Sequence, residues 1–185
     1  YWIINGSMKP TPGFSPEQVI EEGRYAASKK QGLWKRYFPN GKTQSEITYT
    51  NNIPNGPYKT YYTSGVLEET GSWNFNKNIG DFKRFHPNGK PSQEFTFTDN
   101  GLRNGEQRYY HENGVLELQV NVINGKENGR MTRYFHNGEI KEVKDFNEGV
   151  MADGSIQSYQ MKKPAVKLKE TPAVSEKSSP IVKED

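Results

Sequence analysis

The sequence repeats itself with a period of about 24 residues. A period between roughly 20 and 50 residues is typical of arrays in which each copy is one supersecondary unit that stacks on its neighbours. Each copy begins at a glycine, which we call the frame glycine and number as position 0. The frame glycines, separated by 24, 24, 25 and 24 residues, are Gly32, Gly56, Gly80, Gly105 and Gly129.

Large side chains recur at fixed positions after the frame glycine, and a second glycine always stands at position +9. Aromatic residues at such regular spacing favour strands with one buried face. The aligned residues are Trp34, Tyr58, Phe82, Gln107 and Met131 at position +2, Tyr37, Tyr61, Phe85, Tyr110 and Tyr134 at position +5, and Tyr49, Trp73, Phe97, Val122 and Phe146 at position +17.

An asparagine precedes the second glycine in four of the five copies, at Asn40, Asn88, Asn113 and Asn137. Asn-Gly between two apolar segments predicts a two-residue type I′ turn, so each copy is predicted to be a β-hairpin. This turn pairs position +7 with +10, +3 with +14, +2 with +15, and the frame glycine with +17. We expect the +17 ring to cover the frame glycine, an arrangement known as aromatic rescue.

The predicted register separates two faces, because side chains alternate along a strand. The core face is expected to carry the even positions of the first strand together with +11, +13, +15 and +17 of the second. The other face is expected to be more exposed to solvent. On it, Lys35 is expected to lie opposite Glu46 and Lys83 opposite Glu94. The residues predicted on the core face of the first two copies are Trp34, Phe38, Ile47, Tyr49, Tyr58, Tyr62, Leu67 and Trp73.

The predicted fold is all-β, an elongated single-sheet antiparallel ribbon of tandem hairpins. Residues 17–154 are predicted to form the repeat domain, after an N-terminal segment at 1–16 and before a flexible tail rich in Lys, Pro and Glu at 155–185. Residues 19–25 resemble the second strand of a degenerate first copy, although Ser15-Pro16-Glu17 would also suit the start of a helix. The one 25-residue spacing is expected to be absorbed at Asp99-Asn100-Gly101.

Composition limits the functions that this chain can perform. The absence of cysteine excludes disulfides, thiol catalysis and thiolate metal sites. A net charge of +3 on a mixed surface does not by itself predict nucleic-acid or membrane binding, and no apolar run is long enough to span a bilayer. The chain does not begin with Met, which is compatible with signal-peptide removal or with truncation. We expect a bacterial periplasmic or cell-envelope location in preference to the cytoplasm, although the sequence does not determine the compartment.

Two units carry a family resemblance, Gly-Leu-Trp-Lys-Arg-Tyr-Phe-Pro-Asn-Gly-Lys at 32–42 and Gly-Asp-Phe-Lys-Arg-Phe-His-Pro-Asn-Gly-Lys at 80–90. They resemble the MORN repeat (membrane occupation and recognition nexus), in particular the bacterial variant of YwqK-type antitoxin-like proteins. The resemblance covers about residues 17–150. It implies a twisted ribbon of hairpins that serves as a protein-interaction scaffold and in some cases meets membranes.

No catalytic, metal or cofactor site is predicted. His86 and His111 share position +6 in adjacent copies, but that position holds rings in the other copies, and equivalent residues one hairpin apart are roughly 9–10 Å apart. Serine, histidine and aspartate are present without the spacing of a nucleophile elbow. We therefore expect a non-enzymatic protein with no cofactor.

One set of residues could bind a partner, because it alternates cations with rings. If this set binds a ligand, the favoured ligand is another protein, in some cases within a larger complex. Single-stranded nucleic acid or anionic lipid is a weaker alternative, because Glu46 and Glu94 offset the lysines. A solvated sheet face without a ligand, an antitoxin surface and a peripheral envelope component also remain open. The candidate residues are Lys35, Tyr37, Lys59, Tyr61, Lys83, Phe85, Arg108, Tyr110 and Tyr134.

Overall fold

The computed structural model describes residues 1–161, which form one antiparallel sheet of 15 strands and no helix. The strands follow one another in chain order, except that β11 also pairs with β10 and β15 with β13. Their bounds are β1 Trp2–Asn5, β2 Val19–Ala26, β3 Lys29–Tyr37, β4 Thr43–Thr50, β5 Ile53–Tyr61, β6 Leu67–Asn74, β7 Lys77–Phe85, β8 Pro91–Phe97, β9 Gly105–Tyr110, β10 Leu116–Ile123, β11 Lys126–Glu127, β12 Gly129–Tyr134, β13 Ile140–Asn147, β14 Val150–Met151 and β15 Gln157–Ser158.

The predicted hairpin register is confirmed over the main part of each strand. In the first copy Lys35 pairs with Glu46, and the frame glycine Gly32 pairs with Tyr49. The same positions pair in the second and third copies. The repeat therefore folds into one hairpin per copy, as predicted.

The predicted type I′ turn at Asn-Gly is wrong. The amide of Gly41 donates to Phe38 O at 2.9 Å and the amide of Phe38 donates to Lys42 O at 2.8 Å, so the loop has three residues. Gly41 has a φ of +79°, whereas Asn40 does not have the positive φ that a type I′ turn requires. The turn is a type I turn closed by a glycine bulge. It pairs position +6 with +10, and a bulge near +12 restores the predicted register.

The turn asparagine instead links each copy to the next. Asn88 Nδ2 donates to Glu112 O at 2.7 Å, and its Oδ1 accepts the amide of Lys90 at 2.9 Å. Asn40 and Asn113 make the equivalent bonds to the following turn. Because one side chain satisfies the backbone of two turns, the turns stack along one edge of the sheet.

The connection between the first and second copies has the paired positive φ values of a type I′ turn, the turn that was predicted inside each copy instead. Asn51 and Asn52, between β4 and β5, both have positive φ values, at 52° and 71°. Asn52 also donates its amide to Lys30 O at the start of β3, at 3.1 Å. The 25-residue spacing is absorbed at Asp99-Asn100-Gly101, as predicted. There the amide of Thr98 donates to Leu102 O across a three-residue loop.

The frame glycine is required by its backbone conformation. All five have a positive φ, between 62° and 117°, and a Cβ added to Gly32 or Gly80 would meet nothing within 4 Å. The expected aromatic rescue is therefore wrong, although the +17 residue is the pairing partner. At this glycine the register between neighbouring copies changes by two residues: Ser72 pairs with Ile79, but Thr70 pairs with Lys83.

The core lies on the predicted face. The +2 residues of the first four copies are buried, and Trp34 is only 3% exposed. Leu67 was predicted on this face, but the bulge pairs it with Tyr61 of the opposite face. Val143 on that opposite face is also buried, at the point where β15 pairs with β13. The opposite face is therefore not exposed to solvent along its whole length.

The sheet continues beyond the range predicted for the repeats. β1 lies in the predicted N-terminal segment and pairs with β2, while β15 lies in the predicted tail and pairs with β13. Residues 19–25 belong to strand β2, so the strand reading of this segment is confirmed over the helical one. Residues 162–185 of the predicted tail lie outside the described part of the chain.

We predict that two glycine substitutions destabilise the fold for different reasons. Gly80→Ala should cost about 1 kcal/mol, because alanine strains at positive φ even in open space. Gly23→Ala should cost about 2–3 kcal/mol, because its Cβ would collide with the ring of Trp34. Urea unfolding followed by tryptophan fluorescence measures both losses. Gly80→Asn is the control and should be milder than Gly80→Ala, since asparagine tolerates this conformation; an equal loss would contradict the backbone argument.

Candidate functional site

The structure brings the predicted cations into one continuous row across the sheet. Position +3 of each copy pairs on one side with +14 of its own copy and on the other with +14 of the copy before. Cations and carboxylates therefore alternate wherever +14 is glutamate. The row, which we call the charge row, runs Glu22, Lys35, Glu46, Lys59, Thr70, Lys83, Glu94 and Arg108.

Both predicted Lys to Glu pairs are present in the charge row. Lys35 Nζ lies 3.3 Å from Glu46, and Lys83 Nζ lies 3.6 Å from Glu94. The lysine side chains remain 38% and 52% exposed, so each pair contributes at most about 1 kcal/mol. Lys59 forms no ion pair with any residue of the described range, which leaves its ammonium available at the centre of the row.

The +5 residues form a second row beside the first, which we call the ring row. Its members are half-buried. Their hydroxyls donate to the carboxylates of the charge row: Tyr37 to Glu22 at 2.5 Å, Tyr110 to Glu94 at 2.7 Å and Tyr61 to Glu46 at 3.3 Å. These bonds fix the rings and satisfy the carboxylates. The ring row consists of Tyr37, Tyr61, Phe85, Tyr110 and Tyr134.

The residue types at the two rows match one another. Where position +14 is glutamate, the next copy has tyrosine at +5 and can donate a hydroxyl. Where position +14 is Thr70, the next copy has Phe85, which has no hydroxyl to satisfy. This match explains the single phenylalanine in the ring row.

The bonds to carboxylates also change the acidity of the tyrosines. Burial, reinforced by the hydrogen bond and the charge of Glu22, raises the pKa of Tyr37 to about 12. Burial followed by the bond to Glu94 raises the pKa of Tyr110, and burial with the charge of Glu46 raises that of Tyr61. The hydroxyls therefore stay protonated donors at neutral pH, as the geometry requires.

His86 and His111 contribute to the links between copies. Nε2 of His86 bonds to Tyr110 O at 2.9 Å, and Nε2 of His111 bonds to Tyr134 O at 3.1 Å. Tyr62, at the same position, donates to Phe85 O at 2.8 Å. The +6 side chain thus satisfies a backbone carbonyl of the next copy. Within residues 1–161, no group of three or more possible ligands is placed to hold a metal.

Sequence reasoning missed Glu22, which lies at one end of the charge row. It pairs with Lys35 in the backbone register and accepts the hydroxyl of Tyr37. The signal was available, because the degenerate first copy places residue 22 at position +14. The degenerate copy thus supplies a side chain for the surface as well as a strand for the sheet.

We predict that Glu22→Gln lowers the pKa of Tyr37 from about 12, since it removes the negative charge but not the burial. The pKa of Tyr37 in the folded state lies above the unfolded value of about 10. The protonated hydroxyl of Tyr37 therefore contributes its full stability below pH 10, and this contribution is lost as pH rises towards 12. This alkaline loss should be smaller in Glu22→Gln. Ultraviolet titration of phenolate and urea unfolding from pH 9 to 12 measure both effects. Exposed Glu148→Gln should change neither, and an unchanged titration of Glu22→Gln would refute the coupling.

The comparisons with known proteins give one match. Four segments match the family model described as MORN repeat variant, at residues 30–51, 54–74, 79–99 and 103–124. Each matched segment begins near the end of a connecting turn and covers one hairpin, so the family unit coincides with the structural unit. A search of curated proteins gives no match. Residues 30–124 therefore contain four tandem segments that match the MORN repeat variant.

Proposed function

We propose that this chain is a non-enzymatic interaction scaffold that binds another protein through the charge row and the ring row together. The observation that supports this most directly is their alignment. The backbone register places equivalent cations and rings of successive copies side by side on one face. A partner can therefore meet the same pair of side-chain types several times along one surface.

The fixed rings favour binding, because a side chain that is already ordered loses little entropy when a partner covers it. Tyrosine offers a large contact area and few rotatable bonds, which makes it frequent in protein interfaces. Tyr37, Tyr61 and Tyr110 are each held by a carboxylate before any partner arrives. The face is thus preorganised for recognition.

The charges of this face favour a protein over a polyanion. The charge row contains four cations and three carboxylates, so its field is mixed in sign. A nucleic acid or an anionic bilayer attracts a surface of one sign. A protein surface that itself alternates acidic and basic groups matches this face better. Among residues 1–161, no helix is long and apolar enough to cross a membrane.

We predict that reversing two exposed cations of the charge row, in Lys59→Glu/Lys83→Glu, weakens partner binding about tenfold or more, because each new carboxylate repels its match on the partner. The partner is captured on the full chain from native cells, identified by mass spectrometry and titrated as a purified protein by calorimetry. Lys77→Glu/Lys126→Glu is the control. It makes the same charge change at exposed lysines beside the connecting turns and should leave the affinity unchanged.

The result also separates the alternatives that the family resemblance leaves open. A single small toxic protein, neutralised in a growth assay by the chain and released by Lys59→Glu/Lys83→Glu, would narrow the function to an antitoxin. Several envelope proteins captured together would narrow it to a component of a larger assembly. Salt-sensitive binding to anionic liposomes that the double variant abolishes would replace the protein-partner proposal with a peripheral membrane role. Equal affinity of the wild-type and double-variant chains for the purified partner would refute the proposed face.

A further inference from the structure

The core face lacks a stacked ring pair in the fourth copy, where only Tyr109 packs edge-on against Phe95. In the second and third copies the +2 ring stacks on a ring of the paired strand: Tyr58 on Trp73 with centroids 3.8 Å apart, and Phe82 on Phe95 at 5.5 Å. In the fourth copy Gln107 stands at +2 and pairs with Val120. Smaller side chains therefore occupy positions where the neighbouring copies place a stacked pair.

A cavity of about 470 Å³ lies at this interruption, between the fourth and fifth copies. This volume lies within the range of roughly 300–1,000 Å³ that small-molecule sites occupy. Its walls are largely apolar and include Leu118, Val120, Val122, Met131 and Phe146. The walls can accept a flat ring in the place of the missing pair.

Gln107 lines the cavity and is only 1% exposed. Its Nε2 donates to backbone carbonyls, the nearest being Gly105 O at 3.1 Å. Its Oε1 is buried and accepts no hydrogen bond from any described residue. A buried acceptor without a partner is unfavourable, so a ligand that donates a hydrogen bond to Oε1 would gain affinity.

Two guanidinium groups also reach this cavity. Arg133 Nε is buried and has no hydrogen-bond partner among the described residues. Arg103 lies over the ring of Phe95 at 4.4 Å and donates to the hydroxyl of Tyr109. Neither arginine forms an ion pair within residues 1–161, although Glu117 and Glu127 also line the cavity. Arginines of this kind recognise carboxylate, sulfonate or phosphate groups.

We propose that this cavity binds a small aromatic anion that also carries an N–H or O–H donor. The ring packs against Val120, Val122 and Met131, the anionic group meets the guanidinium groups of Arg133 and Arg103, and the donor satisfies Gln107 Oε1. The site lies on the face opposite the charge row and does not depend on the proposed partner. It combines apolar walls with two guanidinium groups and one buried amide acceptor.

The test uses a probe of this chemistry, 1-anilinonaphthalene-8-sulfonate, which has fused rings, an anilino N–H and one sulfonate. Titration of the full chain should show a saturable rise in fluorescence with one probe per chain. Gln107→Phe restores the ring of other copies, fills the cavity and should abolish binding. Arg133→Met should weaken binding about tenfold, while Arg36→Met, at the same +4 position of the first copy, should leave it unchanged.

Methyl NMR of the wild-type chain locates the probe without relying on any variant. The signals of Val120, Val122 and Met131 should shift during the titration, while that of Ile47 in the first copy should not. Circular dichroism confirms that each variant remains a sheet. The site is refuted if the wild-type chain shows no saturable binding, if Gln107→Phe binds equally well, or if the shifts lie away from these methyl groups.

Discussion

The left-handed backbone at the frame glycine aligns successive hairpins of the sheet. The connecting turn pairs Thr50 with Ile53, and an unbroken register from that pair would set Glu46 opposite Pro57. Because the register changes by two residues near Gly56, Glu46 faces Lys59 instead. The same change recurs before Lys35 and before Lys83. Without it, charged side chains would pair within each hairpin but not across successive hairpins, and no continuous row would form.

Hydrogen bonds between neighbouring copies hold many of the polar side chains of the array in place. Turn asparagines, the +6 side chains and the +5 hydroxyls each bond to an adjacent copy, as Asn88, His86 and Tyr110 show. Such a sheet resembles other repeat proteins, in which each unit depends on its immediate neighbours. The degenerate first copy fits this principle, because it contributes β2 and Glu22 to the neighbouring copy while its own first strand is short.

The sequence predicted the centre of each hairpin better than its ends. Ring positions and charge pairs determine the register where side chains meet across strands, so the pairing of Lys35 with Glu46 could be predicted. The turn could not be read from Asn-Gly alone, because Pro39 before Asn40 suits the second position of a type I turn, with Gly41 at the fourth. The tyrosine hydroxyls required knowledge of the neighbouring copy. Their acceptors lie about 15 residues earlier in the chain, beyond the reach of local patterns.

The two faces of the sheet follow different rules within the same repeat. The charge row and the ring row recur over successive copies, because each copy supplies the same side chains to its neighbours. The core face repeats its +2 ring only through the third copy and then changes to Gln107, paired with Val120, at one junction. Since alternate residues of a strand point to opposite faces, the residue at +2 can change while +3 and +5 stay the same. A repeated surface and the cavity between the fourth and fifth copies can therefore coexist in one sheet, and a substitution in one need not disturb the other.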